Sequence, residues 1–154
     1  MQKPSAANRL MSAEVFVDTN ILYYANTDSS DPRHALARKK LEPLWEEPGR
    51  AAVSVQVLQE LHVNLVRKAG LSPQQSAQRV SHYLAWRVVD NDRALLAAAF
   101  EVQTRWQLSF WDSLIVAAAQ RSRAPTLWSE DLAHGQRYGA VMAANPLLQD
   151  VAAN

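Results

Sequence analysis

Four acidic residues occupy positions at which parallel α/β folds gather polar side chains. Asp18 and Asp131 each follow a short apolar run typical of a buried strand. Asp112 falls in the first turn of one predicted helix, and Glu60 lies on another helix that leaves a strand. Carboxylates brought together repel each other and raise each other's pKa unless a cation neutralises them. The pattern therefore predicts a site for a divalent cation.

Each acid also has a purely structural interpretation. Asp18 could cap the short turn at 21–25, and Asp112 occupies a capping-box position in its helix. Asp131 could close an Asx turn, and Glu60 could be a solvated helix residue. Taken singly, the four signals are weak, and only their placement at matching points of one sheet favours a shared site.

The chemistry of the site is restricted by the residue types that the chain has. It contains no cysteine, which excludes disulfides, thiolate zinc sites, iron–sulfur clusters and a cysteine nucleophile. The histidines, His34, His62, His82 and His134, show no paired metal-ligand spacing. Oxygen ligands favour Mg²⁺ or Mn²⁺, and the spacing leaves open whether one or two ions bind.

Alternating strand and helix patterns place these acids. Strand-like runs occur at 14–17, 51–53, 86–89, 126–128 and 140–142, and helical periodicity fills most of the chain between them. Strands separated by helices need crossover connections, which predict an α/β domain with a mainly parallel sheet of four or five strands and helices on both faces. Ligands bind such sheets at the carboxyl ends of the strands.

Length and composition predict one globular domain. The chain has 154 residues, of which 48% are hydrophobic and 20% charged. We expect a loose N-terminal extension at 1–13, the domain at 14–146 and a C-terminal tail at 147–154, with Met11 as an alternative start. The apolar runs are too short for a membrane helix and the leader lacks a secretory pattern, so a cytoplasmic protein without membrane contact is expected.

Positive charge is locally clustered although the total is balanced. Sixteen Lys and Arg against fifteen Asp and Glu give a net charge of +1. The candidates for binding RNA phosphates lie mainly on the first long helix: Arg33, Arg38, Lys39 and Lys40. His134 could reach a phosphate, and Trp111, next to Asp112, could stack on a base. A solvated helix face and core packing are the alternatives.

Four segments resemble the acidic motifs of PIN domains, in particular those of VapC-type ribonuclease toxins of prokaryotic toxin–antitoxin pairs. They are 15–20 (VFVDTN), 56–61 (QVLQEL), 110–115 (FWDSLI) and 128–132 (WSEDL). The likeness extends from about Glu14 to Pro146, with the motifs in the same order. One departure is Glu130, which directly precedes Asp131 and could supply the fourth acid instead.

The resemblance implies a Mg²⁺- or Mn²⁺-dependent endoribonuclease. It assigns the catalytic and metal-binding roles to four acids, with a hydroxyl and two polar side chains in support: Asp18, Glu60, Asp112 and Asp131, then Ser129, Thr19 and Asn20. It also implies an RNA substrate, a homodimer and a small antitoxin protein that blocks the site.

Two other classes of protein compete with this interpretation. A non-catalytic RNA-binding or interaction domain could use the same scaffold. A phosphotransfer receiver module also has an acidic pocket at the strand ends, but it needs adjacent acids after the first strand and a lysine after the last. Here Asp18 is followed by Thr19 and Asn20, and that lysine is missing.

Overall fold

The central sheet has six strands. The computed structural model describes residues 13–27 and 30–148. The strands are β1 (Val15–Val17), β2 (Ala51–Ser54), β3 (Arg87–Val89), β4 (Thr126–Trp128), β5 (Arg137–Tyr138) and β6 (Val141–Ala144), in the spatial order β3-β2-β1-β4-β6-β5. All neighbouring pairs are parallel except β5 with β6.

The prediction of four or five strands is therefore corrected to six. The missed strand is β5, which has two residues and is too short to show an alternating pattern. The α/β class and the mainly parallel sheet are confirmed.

Six α-helices connect the strands in the described part of the chain. They are α1 (Thr19–Ala25), α2 (Pro32–Glu46), α3 (Val55–Arg67), α4 (Pro73–His82), α5 (Arg93–Trp106) and α6 (Phe110–Ser122), with 3₁₀ turns at Pro48–Arg50 and Tyr83–Ala85. Side chains cap the backbone N–H groups that begin most of them. Ser54, Ser72 and Ser109 cap α3, α4 and α6, and Asp92 caps α5.

The order of the strands determines where the helices lie. The chain runs from β1 outward to β2 and β3, then returns across the sheet to β4 on the other side of β1. Because parallel crossovers are right-handed, the two directions place α1–α4 on one face and α5 and α6 on the other. The direction changes between β1 and β4, and ligands bind outside the strand ends at such a switch point.

The core lies around the two central strands. Phe16, Val17 and Leu127 are completely buried on β1 and β4. On α6, every residue from Ser113 to Ala119 is buried, and three consecutive alanines allow this helix to approach the sheet closely. The rigid base of β1, β4 and α6 carries three of the four candidate acids at its edge.

Two sequence expectations concern the ends of the chain. Residues 1–12 and 149–154 lie outside the described residues, so most of the expected extension and tail is not described. The domain limits stay a prediction; next to them, Ala13 and Leu147 are buried against the core. In the part of the chain that is described, no helix is both long and apolar enough to cross a membrane.

Candidate active site

Asp18 is the most buried of the four acids. It follows β1 directly, and its N–H continues the ladder by donating to the Trp128 carbonyl oxygen at 2.9 Å. The side chain is 6% exposed. Its Oδ1 accepts the Thr19 N–H at 2.7 Å, so the residue caps α1 as the structural interpretation expected. Its Oδ2 accepts the Ser129 hydroxyl at 2.8 Å, which ties the end of β1 to the loop after β4.

Glu60 reaches the same region from α3. Its Oε2 accepts the Thr19 hydroxyl at 2.9 Å, and its Oε1 accepts the Gln56 amide N–H at 2.8 Å. Thr19 is thus the link between the first and second acidic motifs. The Oε1 atom of Gln56 is buried and has no hydrogen-bond donor among the described residues.

The fourth motif is held by reciprocal contacts with α1. Ser129 is fully buried, and its Oγ also accepts the Asp131 N–H at 3.1 Å. Asn20 donates from Nδ2 to Asp131 Oδ2 at 3.0 Å and accepts the Glu130 N–H at its Oδ1, at 3.2 Å. The exposed Asp131 carboxylate is therefore fixed in direction although solvent surrounds it.

Asp112 lies in the first turn of α6 and is partly buried. Its N–H donates to Ser109 Oγ at 3.1 Å, which confirms the capping position. Burial raises the pKa of Asp112, a hydrogen bond from Ser109 opposes the rise, and the nearby charges of Asp131 and Glu60 add to it. Asp112 also lies close enough to Tyr138 to add to the rise that burial produces in the pKa of that phenol.

The electrostatics connect the four acids. Burial raises the pKa of Asp18 to about 7, hydrogen bonds from Ser129 and Thr19 oppose the rise, and the charges of Asp131 and Glu60 increase it. A carboxylate that is buried next to other carboxylates is unstable in its charged form unless a cation is near. Glu60 and Asp131 thus lie within electrostatic range of both Asp18 and Asp112.

The donor chemistry of this cluster suits a hard cation. The donors are carboxylate oxygens, and each oxygen of Asp18 and Glu60 can accept more than the one hydrogen bond that the structure gives it. The unpartnered Gln56 Oε1 adds a carbonyl-type oxygen nearby. Among residues 13–27 and 30–148, however, no three acidic or histidine side chains form a group that could hold an ion. The acids are neighbours, but they are not gathered into a preformed ligand shell.

Glu130 is placed differently from Asp131. Its carboxylate accepts the Tyr24 hydroxyl at 2.6 Å and pairs with the Arg33 guanidinium at 3.3 Å. Arg33 also lies over the Tyr24 ring, 4.2 Å from its centroid, and pairs with Asp31 at 2.6 Å. Arg33, a candidate for RNA binding, is thus engaged by two carboxylates beside the cluster.

The other basic and aromatic candidates are dispersed. Arg38 and Lys39 line a groove between α2 and α4, whereas Lys40 lies beside residues at the start of β1 and β4. Trp111 is 62% exposed next to Asp112. His134 accepts the Asn145 N–H at Nδ1, at 3.0 Å.

Tyr24 is a contributor that the sequence reasoning missed. It fixes Glu130, and with it the loop that carries Asp131. A signal was available, because Tyr24 lies four residues after Asn20 on α1 and residues at that spacing share a helix face. The side chain next along the face from Asn20 should therefore meet the same loop.

The fold is that of a PIN domain. The family model described as PIN domain matches residues 15–138, and the chain belongs to that family. The family resemblance of the four motifs is thereby confirmed. No curated protein sequence matches the chain significantly.

Solved structures of similar fold come from several prokaryotes. VapC20 of Mycobacterium tuberculosis, titled a sarcin-ricin loop cleaving toxin, is 24% identical, with a TM-score of 0.60 over 76% of this chain and 89% of that chain. A toxin–antitoxin complex from Klebsiella pneumoniae is 18% identical, with a TM-score of 0.65 over 86% and 97%. VapBC2 of Rickettsia felis, bound to promoter DNA, is 21% identical, with a TM-score of 0.62 over 85% and 97%.

The raised pKa of Asp18 gives a prediction about stability in the presence of a chelator. As pH rises from about 4, Asp18 ionises first in the unfolded chain and only near pH 7 in the folded chain, so wild type loses stability across this window. We expect the free energy of unfolding of Asp18→Asn, measured by urea unfolding at pH 8, to exceed that of wild type by more than about 1 kcal/mol. This difference in stability should shrink as the pH falls toward 4. Asp90→Asn, at an exposed acid, is the control, and a variant no more stable than wild type at pH 8 contradicts the account.

Proposed function

We propose that this PIN domain is a metal-dependent endoribonuclease that hydrolyses RNA phosphodiester bonds. The observation that carries the proposal is the placement of four acids, Asp18, Glu60, Asp112 and Asp131, beside the switch point of the sheet. Thr19 bonds to both Asp18 and Glu60, Ser129 bonds to both Asp18 and Asp131, and the charges of Glu60 and Asp131 act on Asp112. A phosphodiester repels an anionic nucleophile, and an acidic cluster promotes its hydrolysis only by holding cations.

The residues fit a magnesium or manganese ion in donor type. Asp18 and Asp112 would hold it, with Glu60 and Asp131 contributing directly or through water, and the set suits one ion or two. When bound, the metal supplies Lewis acidity toward water and toward the phosphoryl oxygens.

The polar neighbours have positioning roles in this proposal. The Ser129 hydroxyl and the Thr19 N–H each hold one oxygen of Asp18, and each of these oxygens can still act as a ligand through its second lone pair. The Thr19 hydroxyl and Gln56 orient Glu60 in the same way, and Asn20 orients Asp131. Charged groups held in advance need no reorganisation when substrate charge develops, which is the main source of electrostatic catalysis.

We further propose that the enzyme is the toxin of a type II toxin–antitoxin pair. The support is the family and the shared fold with structures titled as toxins and toxin–antitoxin complexes. The role implies RNA as substrate, a small antitoxin protein as partner, a homodimer, and activity in the cytoplasm. A non-catalytic PIN-like domain is the alternative to the nuclease. The third class, a phosphotransfer receiver module, is disfavoured because its strand order of 2-1-3-4-5 differs from the order found here.

Removing one acid should abolish cleavage. We expect Asp112→Asn to reduce the cutting of RNA with manganese by about 10²-fold or more, since the substitution removes a charge that holds the cation. Sequencing of RNA ends, with and without a chelator, measures activity and identifies the target. Glu101→Gln, an exposed helix acid on α5, is the control. Undiminished cutting by Asp112→Asn would remove this residue from the mechanism, and an inactive wild type would favour the non-catalytic domain.

A pair of adjacent acids tests which one completes the site. We expect Asp131→Asn to lose about tenfold or more of the activity, because its carboxylate belongs to the cluster. Glu130→Gln should lose less, since its oxygen can still accept the Tyr24 hydroxyl. The same RNA assay compares the two variants. The assignment of Asp131 is wrong if Glu130→Gln is the more damaging substitution.

Expression in bacteria tests the toxin role separately. Wild type should arrest growth of the host because it degrades RNA, whereas Asp112→Asn at the same protein level should not. Colony counts after induction give the result. Normal growth with soluble wild-type enzyme that is active in vitro would refute the toxin role and leave the nuclease assignment standing.

A further inference from the structure

A cationic groove begins where α1 ends, away from the acidic cluster. It has a volume of about 840 Å³ and runs between α2 and α4. Of the described charged or titratable side chains that line it, three are cationic (Arg38, Lys39 and Arg79), two are histidines (His34 and His82), Glu42 is the acid, and Tyr83 lies at its floor. In a chain of net charge +1, three cations against one carboxylate make a local excess of positive charge.

Hydrogen bonds hold the floor of the groove in place. Asn26, the C-cap of α1, donates to the Tyr83 hydroxyl at 2.8 Å and to the Leu22 carbonyl oxygen at 2.7 Å. Arg79 from α4 donates to the Asn26 carbonyl oxygen. Burial raises the pKa of Tyr83, and the Asn26 hydrogen bond and the Arg38 charge oppose the rise, which places Arg38 close to this floor.

The charges at the rim are available to a ligand. In the described part of the chain, neither Arg38 nor Lys39 forms an ion pair, and both are exposed. Arg33 on the same helix is by contrast paired with Asp31 and Glu130. The groove therefore presents two cations that form no ion pair in the described chain, with Glu42 as the one described carboxylate in its lining.

An aromatic ring stands at the same rim. Trp45 is 38% exposed, and its buried side packs against Tyr83 and Trp86, with ring centroids 5.2 and 5.0 Å apart. A ring supported on one side and open on the other can stack on a base. Positive charge that tracks a backbone together with such a ring is the pattern of single-stranded nucleic-acid binding.

The groove is connected to the acidic cluster by one short helix. Asp18 is the N-cap of α1 and Asn26 its C-cap, and eight rises of 1.5 Å separate the two by about 12 Å. We propose that this groove binds the single-stranded RNA chain on one side of the scissile phosphate, with Arg38 and Lys39 contacting phosphates. The inference rests on the nuclease function proposed above and extends it to the course of the substrate.

Binding without cleavage tests this path independently of activity. A fluorescently labelled single-stranded RNA is titrated with the full chain in EDTA, and anisotropy is measured over a range of salt concentrations. Since each phosphate contact contributes a slope of about −0.7 for single strands, Arg38→Gln with Lys39→Gln should reduce the steepness of log K against log salt by about 1.4. Affinity at low salt should fall about tenfold or more.

Arg93→Gln is the control, because it removes an exposed cation at the start of α5, outside the groove. Its affinity and salt slope should stay close to those of wild type. RNA binding by the double variant equal to wild type would overturn the proposal, as would an equal loss in Arg93→Gln. Equal competition by a polyglutamate peptide of the same charge would also overturn it, in favour of an acidic protein partner.

The outcomes separate this inference from the nuclease proposal. Weakened RNA binding by the double variant supports the groove even if Asp112→Asn proves no less active than wild type. Unchanged binding overturns the groove even if Asp112→Asn is inactive.

Discussion

The structure depends on burying one carboxylate at the end of a central strand. Asp18 can be placed there only because the Thr19 N–H and the Ser129 hydroxyl bond to it, and even so its pKa rises to about 7. A buried, unpaired charge costs several kcal/mol in most proteins. The fold keeps this costly group and surrounds it with further acids, which favours a functional reason over a structural one, since functional sites commonly retain such strain.

The structural interpretation of Asp18 and Asp112 is confirmed at the level of single contacts, and it is compatible with the functional one. Asp18 does cap α1, and the Asp112 N–H is capped by Ser109. Each acid therefore has a local role that fixes its backbone, and its remaining carboxylate capacity is available to the cluster. The β1–β4 pairing brings Asp18 next to Ser129, and α1 then connects both to Glu60 and Asp131 through Thr19 and Asn20.

Much of the fold followed from local signals, whereas the surface did not. The caps Ser54, Ser72 and Ser109 fixed helix starts, because a capping side chain satisfies N–H groups within its own segment. Contacts between residues far apart in the sequence could not be predicted from local patterns. The pairing of Arg33 with Glu130, for example, joins residues 97 positions apart. The separation of Arg38 from Lys40 was readable, since residues two apart on a helix do not share a face. The arrangement of the four acids around a cation depends on side-chain rotamers, which local sequence patterns do not specify.

The central claim is that Asp18 and Asp112 share a divalent cation. A crystal of the protein soaked in manganese, with anomalous data collected at the manganese edge, tests it most directly. The account predicts an anomalous peak in contact with both carboxylates, with Glu60 and Asp131 at or near it. No peak at saturating manganese, or a peak bound only by acids elsewhere on the surface, would contradict it.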